Sequence, residues 1–272
     1  MPRIGATQLS FPSFRGATRL LVLTNLGAFF LLLILGATNE DLFSWLVVHG
    51  AFIPRAFLHG WVWQPLTYSF VQLGITQTLL SLLALWFLAG FLENFHARDW
   101  VLSLYAVSVL ATAAAGLAIY LGHLSLGYSL PEIPLSGSFG GIFGFIVVIG
   151  VLYGDMEFMF FPLPISIKAR YVAIIAGLVA VAYLFSSMRL YGFAQLGGAL
   201  GGFLFIRKAP RRGVSFLFSE KWYSLRNGYY RWKRRKAAKK FEVYMRSQGR
   251  TVKFDGSGKQ LDEDHDDKKR WN

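Results

Sequence analysis

Six stretches of this chain are apolar and free of Asp, Glu, Lys, Arg and His: Leu20 to Ala37, Leu73 to Leu92, Trp100 to Leu121, Ser138 to Tyr153, Tyr171 to Ser187 and Tyr191 to Ile206. A helix needs roughly 20 mostly apolar residues to cross the hydrocarbon of a bilayer, and bundles tolerate somewhat shorter ones. Backbone polar groups in lipid must be satisfied within the segment, so each stretch is expected to be a helix. The alternation of an outer-membrane barrel strand is missing. The reading is an all-α fold, a polytopic membrane protein built as a six-helix bundle. A charged fraction of 16% fits, against about a quarter in soluble domains. With no ionisable group in any span, the chain lacks the usual equipment of a proton pump, a voltage sensor or a carrier of charged substrates. With no cysteine it has no disulfide, no thiol nucleophile and no Cys-based metal site, and neither a metal nor a cofactor is expected.

Charge divides the sequence unevenly. From Arg207 onward there are 20 Lys/Arg and 8 Asp/Glu, whereas residues 1–206 are nearly neutral. Three regions follow: an N-terminal segment 1–19, a membrane domain 20–206 and a basic tail 207–272. Arg3, Arg15 and Arg19 precede the first span, and basic flanks stay in the cytoplasm, so both termini are expected there. The first span is longer than a usual signal core and no A-x-A cleavage site stands out after it, so it is read as a retained span. A compact chain without targeting extensions points to a bacterial inner membrane. The segment 38–72 is then external. Its Phe43, Trp45, Leu46, Phe52, Phe57, Trp61 and Trp63 suggest a partly embedded interfacial hairpin, with tryptophans at headgroup level.

Glycines recur four apart in two spans: Gly137 with Gly141 and Gly140 with Gly144 in the fourth, Gly197 with Gly201 and Gly198 with Gly202 in the sixth. Four residues is just over one helical turn, so each pair makes a flat stripe on which another backbone can lie. Close packing of these two helices is the expectation. On the stated topology Gln77, Ser81, Phe139 and Gln195 share the outer half of the membrane.

The run Trp63-Gln64-Pro65-Leu66-Thr67-Tyr68-Ser69-Phe70, followed by Leu82-Leu83-Ala84-Leu85-Trp86 and Glu93, resembles the second-helix region of rhomboid intramembrane serine proteases. Gly137-Ser138-Phe139-Gly140-Gly141-Ile142-Phe143-Gly144 is similar to their G-x-S-G nucleophile motif, and Ala194-Gln195-Leu196-Gly197-Gly198-Ala199-Leu200-Gly201-Gly202 to their A-H-x-x-G-x-x-x-G sixth helix. The resemblance covers residues 15 to 206 and implies the rhomboid fold. It also implies which positions carry chemistry, and here they are changed. The nucleophile slot holds Phe139, the general-base slot Gln195, and the two oxyanion-donor slots Gln77 and Ser81. Gln64 replaces the arginine after the loop tryptophan, and Ala89 and Ala97 replace glycines four residues either side of Glu93.

A serine hydroxyl is a weak nucleophile until a base takes its proton, and a glutamine amide cannot be that base. Phe139 offers no lone pair. Gln77 and Ser81 still donate hydrogen bonds, so part of an oxyanion pocket can persist. Ser138 lies one residue before the slot, about 100° around the helix, and also needs a base. All five histidines, at 49, 59, 96, 123 and 265, fall outside the spans and read as interfacial or loop residues. Inactive members of the family bind transmembrane segments of client proteins, so the resemblance implies that role. An active protease using Ser138, and a membrane scaffold with no client site, stay open as alternatives.

In the tail, Lys221 to Lys236 interleaves aromatics with charge, including Trp222, Arg231, Trp232, Lys233, Arg234 and Arg235. Contact with anionic lipid headgroups is expected, in preference to a solvated helix, and no nucleic-acid partner is expected. The acidic cluster Asp262 to Asp267 lacks the spacing of a calcium loop and reads as a disordered end.

Overall fold

A computed structural model describes residues 12–127, 134–160, 165–186 and 189–208 and, in the tail, 226–233, 236–239, 241, 244 and 247–248. The chain divides into two units, Met1–Val214 and Ser215–Asn272. In the first unit six apolar helices carry the architecture: α1 (Gly16–Thr38), α5 (Ile75–Glu93), α6 (Arg98–Ser125), α7 (Phe139–Leu152), α8 (Ala169–Leu184) and α9 (Arg189–Lys208). Between α1 and α5 lie three short ones: α2 (Glu40–Gly50), α3 (Pro54–Leu58) and α4 (Gln64–Thr67), the last running into a 3₁₀ turn at Tyr68–Phe70. By length and hydropathy α1, α5 and α6 each suffice to cross a bilayer, while α7 and α8 are shorter apolar helices. Large apolar side chains on the outside of α1, α5 and α8, such as Ile34, Leu80 and Leu178, are exposed. That much exposed apolar surface suits lipid contact.

Local sequence explains how these helices begin and end. Helix α1 has no capping side chain of its own. Its first amides are met from another element: Ala17 N and Thr18 N donate to the Glu93 carboxylate at the end of α5, and Thr18 Oγ1 donates to it at 2.6 Å. A carboxylate at a helix N-terminus satisfies orphan donors and complements the macrodipole. Gly16 makes room, since its φ is +57° and a Cβ there would collide with Glu93. At the far end, Asn39 stops α1 and accepts a hydrogen bond from Leu42 N at 2.9 Å, capping α2, whose first turn holds Glu40 and Asp41.

The segment between α1 and α5 is helical, and side chains of α4 and the residue before it hold it to α2. Trp63 Nε1 donates to His49 O (3.1 Å), Gln64 Nε2 to Val48 O (3.1 Å) and Thr67 Oγ1 to Gly50 O (2.9 Å). These are the terminal carbonyls of α2, which a helix cannot satisfy internally. Gln64 is fully buried and also accepts from Ile53 N at 3.2 Å, so its amide closes the turn between α2 and α3. A paired backbone bridge, Phe52 N to Leu135 O (2.9 Å) and Leu135 N to Phe52 O (3.0 Å), ties the segment to the chain entering α7.

One departure from an all-helical chain follows α7. Strands β1 (Glu157–Phe160) and β2 (Ile165–Lys168) pair antiparallel, Glu157 opposite Lys168. Two prolines, at 162 and 164, bar a helix across this stretch, and Ile165 and Ile167 alternate with Ser166 and Lys168 as a strand requires. Phe158 packs on Phe87 and Phe91, with ring centroids 5.4 and 4.9 Å apart. Beside it, in the turn from α5 to α6, His96 stacks on Trp100 (3.7 Å) and its Nε2 lies 3.0 Å from the Tyr153 hydroxyl.

The second unit contains helical residues at 226–233 and 236–239. Trp222, Arg234 and Arg235, as well as the acidic cluster, lie outside the described residues; Arg231, Trp232 and Lys233 are helical and exposed.

Two expectations follow. Removing the carboxylate by Glu93→Ala is expected to cost about 1–2 kcal/mol, the range of a lost cap, read as a lower Tm in detergent. Burial lowers the His96 pKa below the ordinary imidazole value. The neutral form is favoured in the fold, so this contribution is present above the unfolded pKa and is lost as pH falls toward the folded one. Acidification through and below the usual imidazole range is expected to lower Tm more in the native chain than in His96→Gln.

Candidate functional site

Two of the positions that carry chemistry in the rhomboid pattern, Gln77 and Phe139, meet at the start of α7. Gly137 holds a φ of +90°, which disfavours any side chain, and its N–H donates to Tyr68 O at 2.9 Å. A Cβ at Gly137 would stand 3.5 Å from Gln72 Oε1, 3.5 Å from the Phe139 ring and 3.7 Å from Gln77 Nε2. Phe139, the first residue of α7, is half-buried, and its ring therefore shares this shelf with the Gln77 amide.

Ser138 is fully buried and stands just outside α7. Its Oγ accepts a hydrogen bond from Gln72 Nε2 at 3.1 Å; the same amide nitrogen donates to Asn25 Oδ1 at 3.0 Å, and Asn25 Nδ2 donates to Leu21 O at 2.8 Å. One side chain thus uses both amide hydrogens to join α1 to the start of α7. Gln72 was not among the residues that sequence reasoning singled out, because it sits just before the second apolar stretch. Asn25, one of two polar residues in the first stretch, was the visible signal.

Gln195 is 8% exposed on α9 and its Oε1 has no hydrogen-bond partner; Ser81 Oγ, Gln72 Oε1, Tyr105 OH and Ser108 Oγ are likewise buried without one. Thr78 and Thr112 instead bond to carbonyls one turn back, Gly74 O at 2.7 Å and Ser108 O at 2.9 Å. Leaving a buried polar atom unpaired costs about 1–3 kcal/mol.

Among the described residues, no base is hydrogen-bonded to Ser138. Of the four described histidines, His49, His59 and His123 each hold a ring nitrogen against a carbonyl of their own helix, Trp45 O, Arg55 O and Ile119 O. His96 is engaged with Tyr153. The Ser138 hydroxyl meets an amide, which cannot take its proton.

Below this shelf the glycines work in two directions. Gly198 and Gly202 of α9 lie against the backbone of Gly140 and Gly144 of α7; a Cβ at Gly202 would come within 2.7 Å of Gly144 O. Gly197 and Gly201 turn the other way, onto Ala115 and Ala111 of α6. On α7, Gly140 and Gly144 also receive Thr112 and Ser108 of α6, and Gly141 receives the Tyr105 ring. Helix α9 is therefore wedged between α6 and α7, its backbone directly on that of α7 and against the small side chains of α6. Gln195 precedes Gly198 by three residues on the α7-facing side, one turn from the Gly140 contact.

Residues 19–208 match a family described as "Eukaryotic integral membrane protein (DUF1751)". The chain belongs to this family. The DUF1751 region runs from the first turn of α1 to the last residue of α9 and so contains the whole site. The family is an integral membrane one, in line with the apolar helices. Its description is eukaryotic, so the expectation of a bacterial inner membrane has no support. No curated protein matches the chain.

The two glutamines should behave oppositely on truncation of their polarity. Gln72→Leu strands Asn25 Oδ1 and Ser138 Oγ and is expected to lower stability by about 2 kcal/mol. Gln195→Leu removes an unpaired atom and is expected to leave Tm unchanged or raise it. Thermal unfolding of both variants in the same detergent checks the contrast.

Proposed function

We propose that this DUF1751 protein is a rhomboid-like bundle without proteolytic activity that binds transmembrane segments of client proteins. On this reading residues 20–206 form a six-span membrane domain and 207–272 a tail, with both termini on the cytoplasmic side. The observation that carries it is the contrast at one place. The glycine frame of α6, α7 and α9 is close-packed, while Phe139 and Gln195 stand where attack and proton abstraction would occur. A phenyl ring and an amide cannot divide a proton transfer between them.

The surroundings support binding rather than cleavage. Helix α7 packs against α5 on one side and α8 on the other. Both flanking helices turn apolar residues outward: Leu79, Leu80 and Leu83 from α5, Ile174, Ile175 and Leu178 from α8. Apart from Ala169 and Ala180, no residue of α8 is buried, so much of its surface is open to a neighbouring helix or lipid. In lipid, helix association is driven by packing and by interhelical hydrogen bonds. A client helix seated by α7 would meet apolar walls and, at the outer end, the half-buried Gln77 amide.

Photoreactive residues placed at Leu83 and Leu178 are expected to crosslink to the transmembrane segment of another membrane protein, mapped by mass spectrometry. Capture at neither position would remove the client reading in favour of a scaffold. The native chain is expected not to react with a fluorophosphonate probe, and labelling abolished by Ser138→Ala would establish a protease. Phe139→Ser combined with Gln195→His is expected to restore measurable cleavage of a fluorogenic transmembrane substrate, since the frame around both positions is intact.

A further inference from the structure

The tail presents a surface that the membrane-domain reading does not use. Between residues 226 and 248 the sequence has nine Lys/Arg and one acidic residue, Glu242. Helical residues occur at 226–233 and 236–239, where side-chain directions follow the 100° rotation of a helix. On that rotation Tyr229, Trp232 and Lys236 fall within about 60° of one another, with Lys233 about 40° from Tyr229. Arg231 lies on the opposite half, about 160° from Tyr229.

These rings are not folded away. Tyr229, Trp232 and Tyr244 are 57%, 57% and 60% exposed. Tyr229 and Trp232 sit with ring centroids 6.2 Å apart, and Lys236 Nζ lies over the Trp232 ring, 5.2 Å from its centroid. Amphipathic aromatics together with long cationic side chains occupy the headgroup region, the rings at the acyl boundary and the charges at the phosphates.

We infer that this tail segment lies on an anionic lipid surface, with Tyr229 and Trp232 at headgroup level and Lys233, Lys236 and Lys239 meeting acidic headgroups. Three observations select lipid over other polyanions. The chain belongs to an integral membrane family, so a bilayer is always tethered to the tail. The seventeen residues 209–225 that connect them reach at most about 60 Å when extended. The exposed aromatics interleave with the cations on one face, a pattern that inserts into an interface, whereas binding of phosphates alone needs only charge. Each basic side chain near an acidic surface strengthens binding about fivefold, so three of them give about a hundredfold.

The chain contains no cysteine, so Ser247→Cys carries a single environment-sensitive fluorophore on the full-length protein. Reconstituted in nanodiscs of phosphatidylcholine with phosphatidylserine, the label is expected to emit further to the blue and to resist a soluble quencher. In phosphatidylcholine alone, or at high salt, it is expected to stay in water. Replacing Lys233, Lys236 and Lys239 together by Gln is expected to weaken the shift at least tenfold in lipid titration, and Arg231→Gln, on the far side, to weaken it much less. Trp232→Ala with Tyr229→Ala, which keeps every charge, is expected to reduce quencher protection. Identical emission in the two lipids would overturn the inference. So would a shift produced by added RNA or acidic peptide and not by phosphatidylserine.

Discussion

Close approach of bare backbone holds the bundle together, and its cause is compositional. In lipid there is no gain from hiding apolar side chains from water, so helices associate by contact area and by what their surfaces allow. Glycine at 198 and 202 lets α9 lie directly on Gly140 and Gly144 of α7, and glycine at 197 and 201 lets the opposite flank lie on the alanines of α6. A methyl group at several of these positions would strike backbone carbonyls, which cannot rotate out of the way as a side chain can. The geometry of the site depends on this three-helix wedge, because Phe139 and Gln195 each sit within a turn of it.

Polar side chains finish what the glycines begin. Gln72 joins α1 to the start of α7 through Asn25 and Ser138, Gln64 closes the external segment, and Glu93 starts α1. All three act on backbone or side-chain groups far away in sequence. All are residues whose withdrawal from water is tolerable because their hydrogen-bonding groups find partners. The unpaired atoms are of another kind. Gln195 Oε1 and Ser81 Oγ are buried without compensation, and they occupy positions where the rhomboid pattern places catalytic groups.

Much of the membrane domain was legible in the sequence for a plain reason: hydropathy without charge is a strong signal, and the six apolar stretches fall on α1 and α5 to α9 within a few residues. Glycine spacing gave the contact faces, though not that each face splits between two neighbours, since a repeat of four says nothing about the register of adjacent pairs. Other features stayed hidden for physical causes. The roles of Gln72 and Gln64 come from partners 47 and 16 residues distant, which no local pattern encodes. The external helices were obscured because dense aromatics signal an interface without specifying backbone shape. The strands after α7 are only four residues each, too short for periodicity to stand out from flanking apolar sequence.

The bridge between Phe52 and Leu135 has a mechanical consequence. Two reciprocal amide bonds, reinforced by the Gly137 to Tyr68 bond a few residues later, lock the segment between α1 and α5 and the entrance of α7 into one rigid piece. The start of α7 therefore cannot shift without carrying that segment with it.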